Sequence, residues 1–457
     1  MYDLIVIGAG PGGYLSAELA ATAGLKVLVI EKAKAGGCCL NVGCIPTKAM
    51  INIANMINNS KDLAECFDGA DNRSINIDGL NTVLSGLTEN MEKGILHLFK
   101  TNKIEYIQKE VVEIKGASVV VEGATYTSKF IIIATGSVNK PVTDFVDSGV
   151  DCSFIVDSTA MLNPKSIPNK LTVVGGGAIG VEFSYIYNAF GSGVSLLEYQ
   201  PTLLPNMDSE AGKYVERVFK KKGIDVVTGS KLLRISKGEN SRYKLVYSKK
   251  DNEFIIETDV ILAAMGRIPN TDIKGIDSSG VQKDERGYII TNSDMSTDNH
   301  QVYAVGDVVS RSPMLAHTAY EEARVAVKSI CNKINNVAAG NNSIDYNLTP
   351  FCIYSEPEVA VFGSSDTEKN KSVKVHFKSS GKANAIGKTD GFIKLLFDKN
   401  SGVIAGGVIV GYGATELIHQ LITLAATGVT IEKAAEIQYA HPTISESFKE
   451  LFQLAIK

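Results

Sequence analysis

A chain of 457 residues has room for about three domains at roughly 150 residues each, so it is no peptide-sized binding module. Its 46 basic and 50 acidic residues leave a net charge of -4, which provides no electrostatic footprint for nucleic acid or an anionic membrane and points to small molecules or proteins as partners. An apolar content of 44% is that of an ordinary soluble globular protein, and with no apolar run near the roughly 18 residues of a membrane span and no leader ahead of Leu4, a cytoplasmic protein is expected.

In chain order, the apolar run Leu4–Ile7 ends at Gly8-Ala9-Gly10-Pro11-Gly12-Gly13, a helix is expected over Tyr14–Ala23, and a second apolar run, Val27–Ile30, ends at Glu31. Region 52–110 reads as helical with weak periodicity. Phe130–Ile133 closes on Ala134-Thr135-Gly136. The opening grammar then returns: Leu171–Val174 leads into Gly175-Gly176-Gly177-Ala178-Ile179-Gly180, a helix-like stretch, Val194–Leu197 and Glu198. Gly175 and Glu198 each stand 167 residues after their counterparts Gly8 and Glu31, so one nucleotide-binding unit occurs twice. Val260–Ala264 closes on Met265-Gly266-Arg267 as an echo of the first returning strand. Val302-Tyr303-Ala304-Val305 ends at Gly306-Asp307, the polar stretch Asn332 to Asn347 reads as a linker, and about a hundred residues follow it.

Each Gly-x-Gly-x-x-Gly has a physical rationale. The first glycine (Gly8, Gly175) makes the tight turn, the second (Gly10, Gly177) lets backbone approach a pyrophosphate, and the third (Gly13, Gly180) packs helix closely on strand. The phosphates meet the positive end of the following helix, at Ile179 in the second copy. A lone fingerprint is weak, but two in register, each with an acid closing the next strand, are specific. Glu31 and Glu198 are expected to bind ribose hydroxyls. Glu198 would repel a ribose phosphate, and Tyr199-Gln200-Pro201 offers no arginine to receive one, which favours NAD over NADP.

The seven cysteines are too few and scattered for a disulfide scaffold, yet three of them, Cys38, Cys39 and Cys44, fall within seven residues. The segment has no histidine and no second Cys-x-x-Cys, so a metal site is the weaker reading and none is expected. Residues five apart in an ideal helix rise about 7.5 Å, beyond the usual disulfide reach of roughly 4.4 to 6.8 Å between Cα atoms. Gly43 and Pro46 would allow the irregular backbone that closes Cys39 onto Cys44, giving a local disulfide of the kind that cycles. Buried inert thiols are the bland alternative.

The run Cys39-Leu40-Asn41-Val42-Gly43-Cys44-Ile45-Pro46-Thr47-Lys48 resembles the redox-active motif of the pyridine nucleotide-disulfide oxidoreductases, and the resemblance spans the chain to His441-Pro442-Thr443-Ile444-Ser445-Glu446. It is nearest to the members that oxidise protein-bound dihydrolipoamide to lipoamide with NAD+ as acceptor. The resemblance implies an α/β fold with two Rossmann-like dinucleotide-binding domains, for FAD and NAD, and a C-terminal α+β dimerisation domain. The implied segments are 1–145 for FAD and the redox disulfide, 146–268 for NAD, 269–340 completing the FAD site, and 341–457 for the interface. Cys39 would meet the substrate, Cys44 would stack on the flavin, and Lys48 would sit beside the flavin and pair with Glu182. Further FAD contacts are implied at Val112, Thr135, Gly136, Asp307 and Ala316, and Gly266 joins the nucleotide-contacting set. Cys38 departs from the pattern, which has threonine there.

A thiol substrate needs a base, because the thiolate is the nucleophile. Among six histidines, His441 is followed by a proline and a carboxylate in a compact run, and the resemblance makes it the base with Glu446 as partner. Thr443-x-x-Glu446 is also a capping box for a helix over Ser447–Leu454. The resemblance places the base on the second subunit of a homodimer, and it implies docking on a lipoyl-bearing carrier domain or the acyltransferase core of a 2-oxo acid dehydrogenase complex, or service to a glycine cleavage complex. Competing readings are an NAD(P)H-dependent reductase of a glutathione- or thioredoxin-like disulfide, a diaphorase, and a non-catalytic nucleotide-binding subunit.

Overall fold

Leu4, Ile5, Val6 and Ile7 are apolar without alternation because both faces of their sheet are covered. Leu4 and Val6 face a core with Ala17, Ala20, Phe99 and Val325, while Ile5 and Ile7 face another with Val119, Val121 and Ile289. The computed structural model describes residues 1–63, 66, 74–111, 113–238, 242–338, 343–363 and 368–457. It divides into a first unit of Met1–Ala49, Asn76–Lys140 and Gly266–Ile344 and a second of Met50–Ile75, Pro141–Met265 and Asp345–Lys457.

The first unit is built on the parallel strands Glu105–Gln108, Val27–Glu31, Tyr2–Ile7, Ala124–Ile133 and Val302–Ala304, in that spatial order. Ser118–Val121 and Glu113–Lys115 extend the long strand antiparallel. Helices Pro11–Thr22, Ile77–Thr101 and Ala316–Ile334 supply one covering layer. The glycine turn leaves the carboxyl end of the central strand, where open parallel sheets bind ligands.

In the second unit a parallel sheet runs Asp225–Val227, Gly193–Leu197, Lys170–Val174, Val260–Ala263 and Ile155–Val156, its first four strands repeating the order of the first unit and its fifth coming from before the glycine turn in the chain. An antiparallel sheet of Lys231–Lys237, Tyr243–Lys249 and Asn252–Thr258 accompanies it. The C-terminal part is an antiparallel sheet in the order Phe351–Ile353, Val359–Gly363, Ile404–Gly411, Gly391–Asp398 and Asn370–His376. Its core joins Ile393, Ile409 and Phe377 to Ile418 and Leu421 of helix Ala414–Ala426 and to Phe448 and Phe452 of helix Glu446–Ile456.

Several local expectations shift. The first helix starts at Pro11, within the glycine turn, because proline suits the first helical position. Region 52–110 is not all helix: Glu105–Gln108 is a strand paired parallel with Val27–Glu31, the sheet edge overriding a weak helical pattern. Helix Ala316–Ile334 runs into the polar stretch read as a linker. No helix among the described residues is long and apolar enough to cross a membrane.

Candidate active site

The first glycine turn is a bare backbone cradle. A Cβ on Gly13 would stand 1.9 Å from the Gly8 carbonyl oxygen, so helix and strand could not approach with any side chain there. Gly10 caps the helix without a side-chain acceptor and Pro11 follows it, leaving the N–H groups of the first turn for an anion. Glu31, nine-tenths buried, accepts the Ala9 N–H at 2.7 Å through Oε2 and the Ala33 N–H at 2.8 Å through Oε1. It therefore holds the glycine loop shut from behind, a role beyond the expected ribose contact. Across the loop, the Ala9 carbonyl accepts the Gly36 N–H at 2.8 Å.

The second turn in the second unit repeats this. A Cβ on Gly180 would lie 1.8 Å from the Gly175 carbonyl oxygen, and Gly177 caps helix Ala178–Ala189 with no side chain over its first amides, where Ile179 lies. Glu198 accepts the Gly176 N–H through Oε2 and the Gln200 N–H through Oε1, each at 2.6 Å. Both turns thus fit the pyrophosphate of a dinucleotide. Glu182, buried in the same helix, accepts the Tyr354 N–H at 3.0 Å.

The cysteines lie on two consecutive helices, Gly37–Val42 and Cys44–Asp62, separated at Gly43. Gly43 is required, because a Cβ there would meet the Cys38 carbonyl oxygen at 2.9 Å and Cys39 Cα at 3.2 Å. Across this break the Cys39 and Cys44 thiols hydrogen-bond each other. Pro46 plays no part in the irregularity: it sits in the first turn of the second helix, where its missing N–H costs nothing. The hydrogen bond to Cys44 and burial push the Cys39 thiol up, while Lys48, one turn beyond Cys44, draws it down. Asn41 ties the first short helix by donating to the carbonyls of Ala35 and Gly37, both at 3.0 Å.

Beside this segment in the first unit runs a polar chain that the sequence did not reveal. The two-stranded ribbon Ser137–Asn139 and Arg267–Pro269 carries Arg267, whose guanidinium donates to Ser137 Oγ at 2.7 Å, Ser137 O at 2.7 Å and Asn139 Oδ1 at 2.6 Å. It also reaches Cys38 Sγ at 3.6 Å. Ser137 Oγ in turn donates to Asp307 Oδ2 at 2.5 Å, which aims that carboxylate. Glu322, fully buried, accepts the Gly306 N–H at 2.5 Å and pins the loop before Asp307. Thr135 Oγ1 donates to the Asn270 carbonyl at 2.6 Å, and Gly136 and Gly266 adopt φ of +69° and +104° at the two strand ends. Ala316 opens its helix without a side-chain cap. Val112 lies outside the described residues.

In the second unit His441 precedes a cis peptide to Pro442 and its side chain is 79% exposed. Its Nδ1 meets Glu446 Oε1 at 3.0 Å, and Glu446 Oε2 accepts the Thr443 N–H at 2.9 Å. The Thr443 N–H, then the His441 ring, hold the Glu446 carboxyl below the usual carboxylate range. A carboxylate only accepts, so Nδ1 carries the proton and Nε2 is left as the basic nitrogen. Only half of the expected capping box forms: the helix starts at Glu446, and the Thr443 hydroxyl donates to the Ala440 carbonyl at 2.8 Å instead.

Comparison with known proteins identifies the family to which the chain is similar. Residues 2–323 match the family described as pyridine nucleotide-disulphide oxidoreductase, and residues 349–452 match its dimerisation domain. The chain is 38% identical to the dihydrolipoyl dehydrogenase of Thermus scotoductus, over 98% of this chain and 96% of that protein. It is 34% identical to that of Bacillus subtilis, over 99% and 96% respectively. Among solved structures, LpdA from Mycobacterium tuberculosis superposes with a TM-score of 0.87 at 21% identity, covering 99% of each chain. The HOCl-induced flavoprotein disulfide reductase RclA from Escherichia coli superposes with a TM-score of 0.84 at 23% identity, covering 99% of this chain and all of that one.

Proposed function

We propose that this chain, which belongs to the pyridine nucleotide-disulphide oxidoreductase family, is an FAD-dependent enzyme that oxidises a dihydrolipoyl group to its cyclic disulfide with NAD+ as acceptor. The observation that carries the reading is the contact of the Cys39 and Cys44 thiols across the Gly43 break, beside Lys48.

In the forward reaction Cys39 and Cys44 begin as a disulfide. One substrate thiol loses its proton to Nε2 of His441 of the partner subunit, and its sulfur bonds to Cys39 Sγ as the Cys39–Cys44 bond breaks and Cys44 leaves as a thiolate. The second substrate thiol gives up its proton to solvent and its sulfur attacks the first, closing the cyclic disulfide and releasing Cys39 as a thiolate, so that both electrons reside on the cysteine pair. Glu446 keeps Nε2 free to take the proton. Bound FAD supplies an acceptor for that electron pair, and bound NAD supplies the carrier that removes it as a hydride. The first glycine turn, with Glu31, Lys48, Thr135, Gly136, Asp307 and Ala316, would hold FAD. Gly175, Gly177, Ile179, Gly180 and Glu198 would hold NAD, with Glu198 excluding a ribose phosphate.

The dimerisation-domain match supports a homodimer. A lipoyl-bearing carrier within a 2-oxo acid dehydrogenase complex is the partner that this chemistry calls for, and a cytoplasmic location suits thiols that must cycle. The test is NADH formation by the purified flavoprotein with dihydrolipoamide. A reductase of glutathione disulfide driven by NADPH, with no turnover of dihydrolipoamide, would replace this reading.

A further inference from the structure

Three glycines of the first unit, Gly136, Gly266 and Gly306, stand in the left-handed region with φ of +69°, +104° and +78°, and a polar side chain directly follows each: Ser137, Arg267 and Asp307. The three side chains meet, although 130 residues separate Ser137 from Arg267 and 170 separate it from Asp307. A rigid ribbon carries two of them. It pairs Arg267 with Asn139 and Pro269 with Ser137, and it is closed at its ends by Lys140 N on the Gly266 carbonyl at 3.0 Å and Asn270 N on the Gly136 carbonyl at 2.8 Å.

The donors fix the direction of the chain. A guanidinium only donates, so Ser137 Oγ accepts the Arg267 Nε–H at 2.7 Å. A carboxylate only accepts, so the single Ser137 hydroxyl proton goes to Asp307 Oδ2 at 2.5 Å. Each bond polarises the next, and the positive charge of Arg267 at one end and the negative charge of Asp307 at the other favour the same order. Two further donors fasten Arg267 to Ser137 O at 2.7 Å and Asn139 Oδ1 at 2.6 Å. Its contact with Cys38 Sγ is longer, at 3.6 Å, and to a weak acceptor, so the bonds to the ribbon dominate. The chain uses one oxygen of Asp307, and a carboxylate has a second with which to accept a ligand hydroxyl.

We propose that Arg267 is a positioning residue of the flavin site, which acts through Ser137 to fix the orientation in which the Asp307 carboxylate retains the cofactor. The inference rests on the reading of Asp307 as one of the residues that would hold FAD. Lysine cannot take this place, because one ammonium cannot serve Ser137 Oγ, Ser137 O and Asn139 Oδ1 as a planar fork does.

The test follows flavin release from the purified holoenzyme, read as the rise of free FAD fluorescence at a temperature below unfolding. The proteins are the wild type, Arg267→Met, Arg267→Lys, Ser137→Ala and the variant carrying both Arg267→Met and Ser137→Ala, with unfolding followed in the same samples by far-UV circular dichroism. A hydrogen bond to a charged group is worth a factor of about ten or more, so Arg267→Met and Ser137→Ala should each speed release about tenfold while the protein stays folded. Arg267→Lys should release flavin nearly as fast as Arg267→Met. The double variant should be no faster than the faster single variant, because both substitutions break one chain. Release at the wild-type rate in either of these single variants, rates that multiply in the double variant, retention restored by lysine, or release that only accompanies unfolding would overturn the role. A wild-type protein that takes up no flavin would instead overturn the assignment of the first glycine turn and Asp307 to FAD.

Discussion

The two glycine turns repeat each other almost atom for atom as far as the acid and part company directly after it. Gly8 N donates to the Ile30 carbonyl as Gly175 N does to that of Leu197, and Ala134 N donates to the Ile7 carbonyl as Ala264 N does to that of Val174. Glu31 and Glu198 close their loops through the same two amide positions. Beyond the acid the first copy leads through Gly36 to the cysteine helix, and Gly36 N closes on the Ala9 carbonyl; in the second copy Leu204 N takes the equivalent Gly176 carbonyl and the next cysteine in the chain is Cys331. In the proposed function the shared part holds a dinucleotide, and the divergent part sets what that dinucleotide would exchange electrons with.

The largest effect should come from a Cβ in either cradle. Gly13→Ala is expected to yield protein without flavin, whereas Gly180→Ala should keep its flavin spectrum and raise the KM for NAD+ at least about tenfold, since overpacking of this kind costs typically 1–3 kcal/mol. Flavin lost equally from both variants would break the assignment of one cofactor to each copy. Next, Glu31→Gln and Glu198→Gln each remove charge from two loop hydrogen bonds, so both should lower stability to urea by about 1–3 kcal/mol. A loss at one site alone would show that the copies are not equivalent in their loops.

Glu446 serves as a contrast, a carboxylate that orients an imidazole instead of a glycine loop. Its folded pKa lies below the usual range, so its stabilising contribution is fully present above the ordinary glutamate value of about 4.3 and disappears as pH falls through the depressed folded value. The difference in urea midpoint between the wild type and Glu446→Gln should therefore be constant near neutrality and close under acid. A difference that grows on acidification would contradict the hydrogen bonding of Glu446.

What could be read from sequence was local or repeated. The glycine turns announce themselves by identical spacing, and the break between Cys39 and Cys44 follows from a glycine between two thiols that an ideal helix would hold apart. What stayed hidden depends on long separations: Arg267 meets Ser137 at 130 residues and Ser137 meets Asp307 at 170. A serine and an arginine at strand ends carry no local signal of each other. That Glu31 and Glu198 accept their own loop amides was equally hidden, because an acid at a strand end reads the same whether it faces ligand or backbone. The capping box at Thr443 was half legible, since the motif cannot say that the threonine hydroxyl prefers the Ala440 carbonyl.

The central claim, that electrons enter at the cysteine pair of the first copy and leave through the second, is tested most directly by counting thiols. Oxidised holoenzyme is treated with dihydrolipoamide, then with excess NAD+, and alkylated at each stage for peptide mapping. Cys39 and Cys44 should become reactive together on addition of dihydrolipoamide and lose that reactivity together once NAD+ is added. Unchanged labelling at these two positions, or labelling that appears only at Cys66, Cys152, Cys331 or Cys352, would contradict it.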